Sequence, residues 1–71
     1  MIKFENPVNG RYYYICIQKD LLNPIVAIYK GGTQKKIRKI YAFECHETMS
    51  RFIADMVKRR LRNGYVQISA S

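Results

Sequence analysis

The sequence predicts an α+β fold: a small antiparallel β-sheet of three to five strands packed on one C-terminal α-helix. Three observations predict it. From Arg11 to Phe43 the chain is rich in β-branched and aromatic residues, which suit a pleated, half-buried surface. From about Cys45 to Asn63 the apolar residues recur with a helical period instead. With 71 residues the chain is expected to make one domain spanning 1–71, too small for a deep substrate cavity.

Ile2-Lys3-Phe4-Glu5 alternates apolar and polar residues and reads as a short edge strand. Asn6-Pro7-Val8-Asn9-Gly10 is a turn, because Pro fixes φ and Asn and Gly accept positive φ. Arg11 to Gln18 is the first strong strand. It places Tyr12, Tyr14 and Cys16 on one face and Tyr13, Ile15 and Ile17 on the other. Lys19 to Asn23 is a connection closed by Pro24, and Ile25 to Tyr29 is the second strong strand.

Lys30-Gly31-Gly32-Thr33-Gln34-Lys35-Lys36 has the glycines and short polar residues of a hairpin connection. Ile37 to Phe43 is the third strong strand; its alternation slips at Lys39-Ile40, which reads as a bulge or a strand with two unlike faces. Met49, Phe52, Ile53, Met56, Val57 and Leu61 then follow one face of a helix, with Phe52, Ile53, Met56 and Leu61 expected to be buried against the sheet. Glu47 near its start and Lys58, Arg59, Arg60 and Arg62 in its last turns complement the helix dipole. Gly64 is placed to end it in the left-handed region, and Tyr65-Val66-Gln67-Ile68 can add a further extended piece.

Composition narrows the chemistry. Thirteen Lys+Arg against five Asp+Glu give a formal charge of +8, which speaks for an anionic partner. Nucleic acid comes first, DNA ahead of RNA, an anionic membrane surface second and an acidic protein third; of these the protein partner is kept as the alternative. No membrane association is expected, since the longest apolar run is far shorter than the roughly 20 residues that span a bilayer. Two cysteines do not make a disulfide framework, and no charged leader precedes an apolar stretch. The expected location is cytoplasmic, with Cys16 and Cys45 as free thiols.

Metal, cofactor and catalytic chemistry are poorly supplied. Zinc wants four ligands in paired spacings, and the chain has two Cys and a single His, with Cys45 and His46 adjacent. Neighbours on one element point apart, so a Cys–His nucleophile pair is not expected either. Gly31-Gly32 lacks the spacing of a phosphate-binding P-loop and does not precede a helix. No catalytic residue, metal ligand or cofactor is therefore assigned, and the chain is expected not to be an enzyme.

Two basic groups remain. Lys30, Lys35, Lys36, Arg38 and Lys39 fall within ten residues with no acid among them, beside Tyr29. Lys58, Arg59 and Arg62 lie on the helix. Cations that track phosphates beside an aromatic ring that can stack on a base are the ordinary equipment of nucleic-acid binding. Arg51, Asp55, Lys58 and Arg62 form one helical stripe, whose acid interrupts it. Of the six tyrosines, at most two are expected to face a ligand, Tyr29 foremost, because aromatics on strands mostly pack across strands.

Several motifs resemble the WGR domain of poly(ADP-ribose) polymerases and short bacterial proteins. Arg11-Tyr12-Tyr13-Tyr14-Ile15-Cys16-Ile17 is similar to that family's first strong strand, and Asp20-Leu21-Leu22 to its Asp-Leu-Phe-like connection. Phe43-Glu44 is similar to its aromatic-acid step into the helix. Lys58-Arg59-Arg60-Leu61-Arg62-Asn63-Gly64-Tyr65 is similar to its basic helix end closing on Gly-Tyr. The chain has no Trp, and Tyr29-Lys30-Gly31-Gly32 stands where the Trp-Gly-Arg motif would be. The resemblance implies DNA binding near a break and contacts with neighbouring domains, with Tyr29 supplying the aromatic surface and Lys30 or Lys35 the cation. Lysine lacks arginine's bidentate fork, so what carries over is general nucleic-acid affinity.

Overall fold

The computed structural model describes residues 1–19 and 23–70. Asp20, Leu21, Leu22 and Ser71 lie outside the described residues, and with them most of the connection expected over 19–23. Five strands and one helix follow in the order β1 (Ile2–Glu5), β2 (Tyr12–Lys19), β3 (Pro24–Gly31), β4 (Lys36–Ala42), α1 (His46–Arg62) and β5 (Val66–Ala70). The strands form one antiparallel sheet in the order β4-β3-β2-β1-β5. Among the described residues no helix is long and apolar enough to cross a membrane.

The helix explains the last strand. Its 17 residues make a rod of about 26 Å, long enough to cross the roughly 19 Å from β4 to β5. Phe52 anchors the crossing at the β4 side, with ring centroids 4.9 Å from Tyr41 and 5.1 Å from Phe43. The chain leaves the helix beyond β1, and β5 pairs there. Ile2–Glu5 is therefore an inner strand rather than the edge strand its shortness suggested, because β5 covers its free side. A register shift falls between Lys3 and Phe4 in the β1–β5 pair. β4, by contrast, pairs continuously with β3, so the slip at Lys39-Ile40 reflects an edge strand exposed on both faces except at Tyr41, and not a bulge.

One face of the sheet is the core face. Phe4, Tyr13, Ile15, Val26 and Ile28 are buried there against Met49 of the helix, and Ile2, Tyr41, Phe43, Phe52, Ile53, Met56, Val57 and Tyr65 pack partly buried around them. Leu61, expected in this core, is instead 52% exposed. At about 100° per residue, Leu61 sits about 120° around the helix from Met49, whereas Arg60 sits only about 20° away. The apolar stripe therefore ends on an arginine.

The two ends of the helix stop differently. Cys45 is the N-cap without a side-chain cap bond; its sulfur meets Thr48 Oγ1 at 3.1 Å. At the other end Gly64 N–H donates to Leu61 C=O at 3.3 Å and Tyr65 N–H to Arg60 C=O at 3.0 Å. Gly64 has φ +87°. This is a Schellman closure, and it requires the glycine.

Asn6 ties that closure to the sheet. Its buried side chain accepts from Val8 N–H at 2.9 Å and donates to the Asn63 carbonyl at 3.4 Å. The β1–β2 turn and the helix end are thus fixed to each other by one amide.

Phe52→Ala should lower stability by about 3 kcal/mol, the lower end for aromatic truncations because the ring is only partly buried. Leu61→Ala should stay within about 0.5 kcal/mol. Urea denaturation of the two variants checks the pair, and a Leu61 variant losing as much as the Phe52 variant would contradict the placement of the helix.

Candidate functional site

The nine residues expected to bind nucleic acid fall on three surfaces. Lys30, on the core-face parity of β3, and Lys35, at the hairpin tip, line a cleft between the hairpin and the end of the helix. Lys39 shares Lys30's face of the sheet. Tyr29, Lys36 and Arg38 point to the opposite, helix-free face, where the Arg38 guanidinium lies 5.6 Å from the Tyr29 ring centroid. Lys58, Arg59 and Arg62 are on the outer side of the helix, all exposed. Arg59 is paired there with Asp55 at 3.2 Å, as Arg51 is with Glu47 at 2.9 Å. Such exposed pairs contribute little to stability.

The cleft has a volume of about 630 Å³. Arg11, Lys30, Lys35 and Arg60 contribute to its lining, and no Asp, Glu, His or Cys does. Arg11 and Arg60 complete a site that the sequence had given to the hairpin and the outer helix. Arg11 enters because β2 starts opposite the hairpin, with Tyr12 paired to Gly31. Arg60 enters because helical rotation brings it under the apolar stripe.

Arg60 is held by aromatics rather than by an acid. Its guanidinium lies 4.4 Å from the Tyr13 ring centroid and 5.4 Å from that of Tyr65, distances at which the ring faces attract a cation. Those rings meet edge to face at 6.4 Å. The Arg60 Nε is buried and has no hydrogen-bond partner among the described residues.

The electrostatics record the crowding. Lys30 titrates below an ordinary lysine, first through desolvation and then through the charges of Lys39 and Arg60. Burial pushes the Tyr13 hydroxyl up, and Arg60 works against that rise. Tyr13 donates to the Met56 sulfur at 3.2 Å. The cleft is thus a positive concavity with no carboxylate among the described residues that line it.

Gly31 is fixed by the hairpin. A Cβ there would overlap the Lys35 carbonyl, and that carbonyl accepts from Gly32 N–H at 3.0 Å. The glycine lets the tip fold back closely enough to bring Lys35 to the cleft.

On the helix-free face Tyr14 stands opposite Tyr29, and Tyr12 lies 4.9 Å from Tyr14 by ring centroids. Lys3 Nζ is 5.3 Å from the Tyr14 ring. Three tyrosines share this face. Tyr12, Tyr14 and Lys3 join it through β-strand parity and register.

Cys16 and Cys45 are free, Cys45 exposed and Cys16 partly so. The Cys45 thiol is drawn below its ordinary pKa by its hydrogen bond with Thr48. Among the described residues no group of three or more His, Cys, Asp and Glu is placed to hold a metal ion. The chain matches no family model, curated protein or solved structure with which it was compared.

Removing the Arg60 charge should move Lys30 back toward the ordinary lysine value. In Arg60→Met, which keeps an apolar stem on the helix, Lys30 should titrate at higher pH, as read by NMR of the lysine side chains. In the parent the folded pKa lies below the unfolded one, so the unfolded chain holds the extra proton between them. Lys30 therefore makes the fold more stable as pH rises through that window. An unchanged Lys30 titration would show that Arg60 does not act on it.

Proposed function

We propose that this protein is a non-enzymatic nucleic-acid-binding module, for DNA ahead of RNA, that holds phosphates at the basic hairpin and the adjoining cleft. The observation that carries the reading is the convergence of Arg11, Lys30, Lys35 and Arg60 on one concavity with no carboxylate in its lining. An anion seated there would offset the mutual repulsion of the cations around Lys30, which adds to desolvation in lowering it. The formal charge of +8 supplies long-range attraction to a polyanion.

Contacts of this kind position the protein without reading sequence. Apart from Arg60, the helix presents its cations on its outer side, two of them in ion pairs, so the hairpin and cleft supply the principal contacts. The WGR-like order of motifs belongs to the same reading, with Tyr29 and the hairpin lysines in the place of Trp-Gly-Arg. So does a cytoplasmic location, which the two free thiols support.

Each lysine that touches a phosphate releases about one counterion on binding. Lys35→Ala with Lys36→Ala should weaken binding to all sequences alike and flatten the slope of log K against log salt by about two units. Lys58→Ala with Arg62→Ala should change the slope by less than half as much. Titrations at several salt concentrations check this, with circular dichroism to establish that the variants are folded. A parent that ignores nucleic acid at moderate salt but captures an acidic protein would replace this reading with that of an adaptor.

A further inference from the structure

The helix covers one side of the sheet, and the opposite side is built as a row. Strand register places Lys3 opposite Tyr14, Tyr14 opposite Tyr29, and Tyr29 opposite Arg38. The four residues cross β1, β2, β3 and β4 in one line about 15 Å long at the usual strand spacing. Its order is cation, aromatic, aromatic, cation. The next row on the same face runs Glu5, Tyr12, Gly31, Lys36. At Gly31 the Lys35 carbonyl takes the place a side chain would fill, so no side chain stands beside Tyr12 in this row.

The chemistry of this face differs from that of the cleft. Tyr12, Tyr14 and Tyr29 are partly exposed, as is Lys3, while Lys36 and Arg38 are exposed. Glu5 is the one carboxylate in the two rows, and Tyr14 donates to it at 3.4 Å. The aromatic centre is therefore flanked by Lys36 and Arg38 on the β4 side and by Lys3, beside Glu5, on the β1 side. A stacked base wants a ring face, and the phosphates beside it want the rim. A duplex buries its base faces within its own stack and offers only backbone and groove edges.

We propose that the helix-free face of the sheet, with Tyr12, Tyr14 and Tyr29 between Lys3 and Arg38, binds single-stranded nucleic acid by stacking its bases, in preference to a duplex. This rests on the nucleic-acid reading above and names its substrate class. The cleft holds phosphates of either form, and the sheet face takes only unpaired bases. A platform four strands wide suits about four nucleotides, the low end for small single-strand-binding modules.

The absence of Trp makes tyrosine emission a direct readout of stacking. The probes are a 12-nucleotide oligo(dT), a 12-nucleotide oligo(rU) and a 12-base-pair DNA duplex, followed by anisotropy and by tyrosine fluorescence. The parent should bind a single strand more tightly than the duplex, with quenching of tyrosine emission. The two single strands separate DNA from RNA.

The triple variant Tyr12→Phe, Tyr14→Phe, Tyr29→Phe keeps the ring faces, so it should retain the affinity within about threefold and lose most of the quenching. Tyr14→Ala and Tyr29→Ala should each weaken single-strand binding by about 5- to 150-fold. They should leave duplex affinity and the salt slope unchanged. Arg38→Glu, at an exposed position, should weaken single-strand binding even if a tyrosine truncation perturbs folding.

Equal or tighter binding of the duplex, or quenching that persists in the triple Phe variant, would overturn the platform while leaving the phosphate-binding reading in place. Loss of binding in Lys35→Ala with Lys36→Ala together with intact binding in the tyrosine and Arg38 variants would do the same. A parent that binds none of the three probes, or binds an acidic peptide instead, would overturn both.

Discussion

A single α-helix is about 10 Å across, and here it must serve a sheet of five strands. It cannot cover two faces, and it covers one only by crossing it from the β4 side toward β5. That crossing sets the order β4-β3-β2-β1-β5, because the chain emerges where β1 still has a free side. It sets the core, a single layer from Phe4 through Ile15 and Val26 to Ile28 beneath Met49. It also leaves the other face without a partner element. The cleft and the tyrosine rows both follow from this geometry, one at the end of the helix and the other behind the sheet.

The end of the helix is where burial and charge meet. An arginine on the core side of a helix would ordinarily be costly, since a cation taken from water needs compensation. Arg60 finds it in the faces of Tyr13 and Tyr65. The backbone of the same residue accepts the Tyr65 bond that closes the helix. Asn6 reaches the adjacent Asn63 carbonyl from the β1–β2 turn. One short stretch of chain therefore stops the helix, orients Tyr65, and holds a guanidinium at the mouth of a cleft. The Nε, without a partner among the described residues, is the part of this arrangement that folding alone does not explain, and it belongs to one of the four cations that line the cleft.

Local patterns made most of the elements legible. The period of two separated Tyr12 and Tyr14 from Tyr13 and Ile15, and the period of 3.6 marked the helix to within a residue of its observed bounds. Gly64 was readable as its stop because only a left-handed residue lets the chain turn there. Leu61 was misjudged because hydrophobicity drew attention from angle: at i+12 from Met49 it has rotated off the stripe, and Arg60 at i+11 has rotated onto it. The grouping of the cations was less readable. Neighbours in sequence such as Arg38 and Lys39 point to opposite faces of a strand, while Arg11 and Arg60, far apart in sequence, meet across the cleft. The row from Lys3 to Arg38 depends on the registers of three strand pairs, and no local pattern fixes three registers together.

The cations of β4 have a second physical role that bears on how much of the charge a ligand must explain. An edge strand exposes unpaired backbone groups, and charged side chains discourage another chain from pairing with it. Lys36, Arg38 and Lys39 are placed to do this on β4. The opposite edge, β5, faces the same hazard with Val66, Gln67, Ile68 and Ser69 and no cation at all; its protection comes from shortness and from the register shift against β1. Edge protection therefore did not require lysine and arginine on this fold, and it accounts for none of the charge on Arg11, Lys30, Lys35 or Arg60, which lie away from the free side of β4 or face the cleft. What remains after that subtraction is a positive concavity at one end of the sheet and an aromatic row rimmed by Lys3 and Arg38 behind it. Both are open toward an anion that is long enough to reach from one to the other around the β3–β4 hairpin.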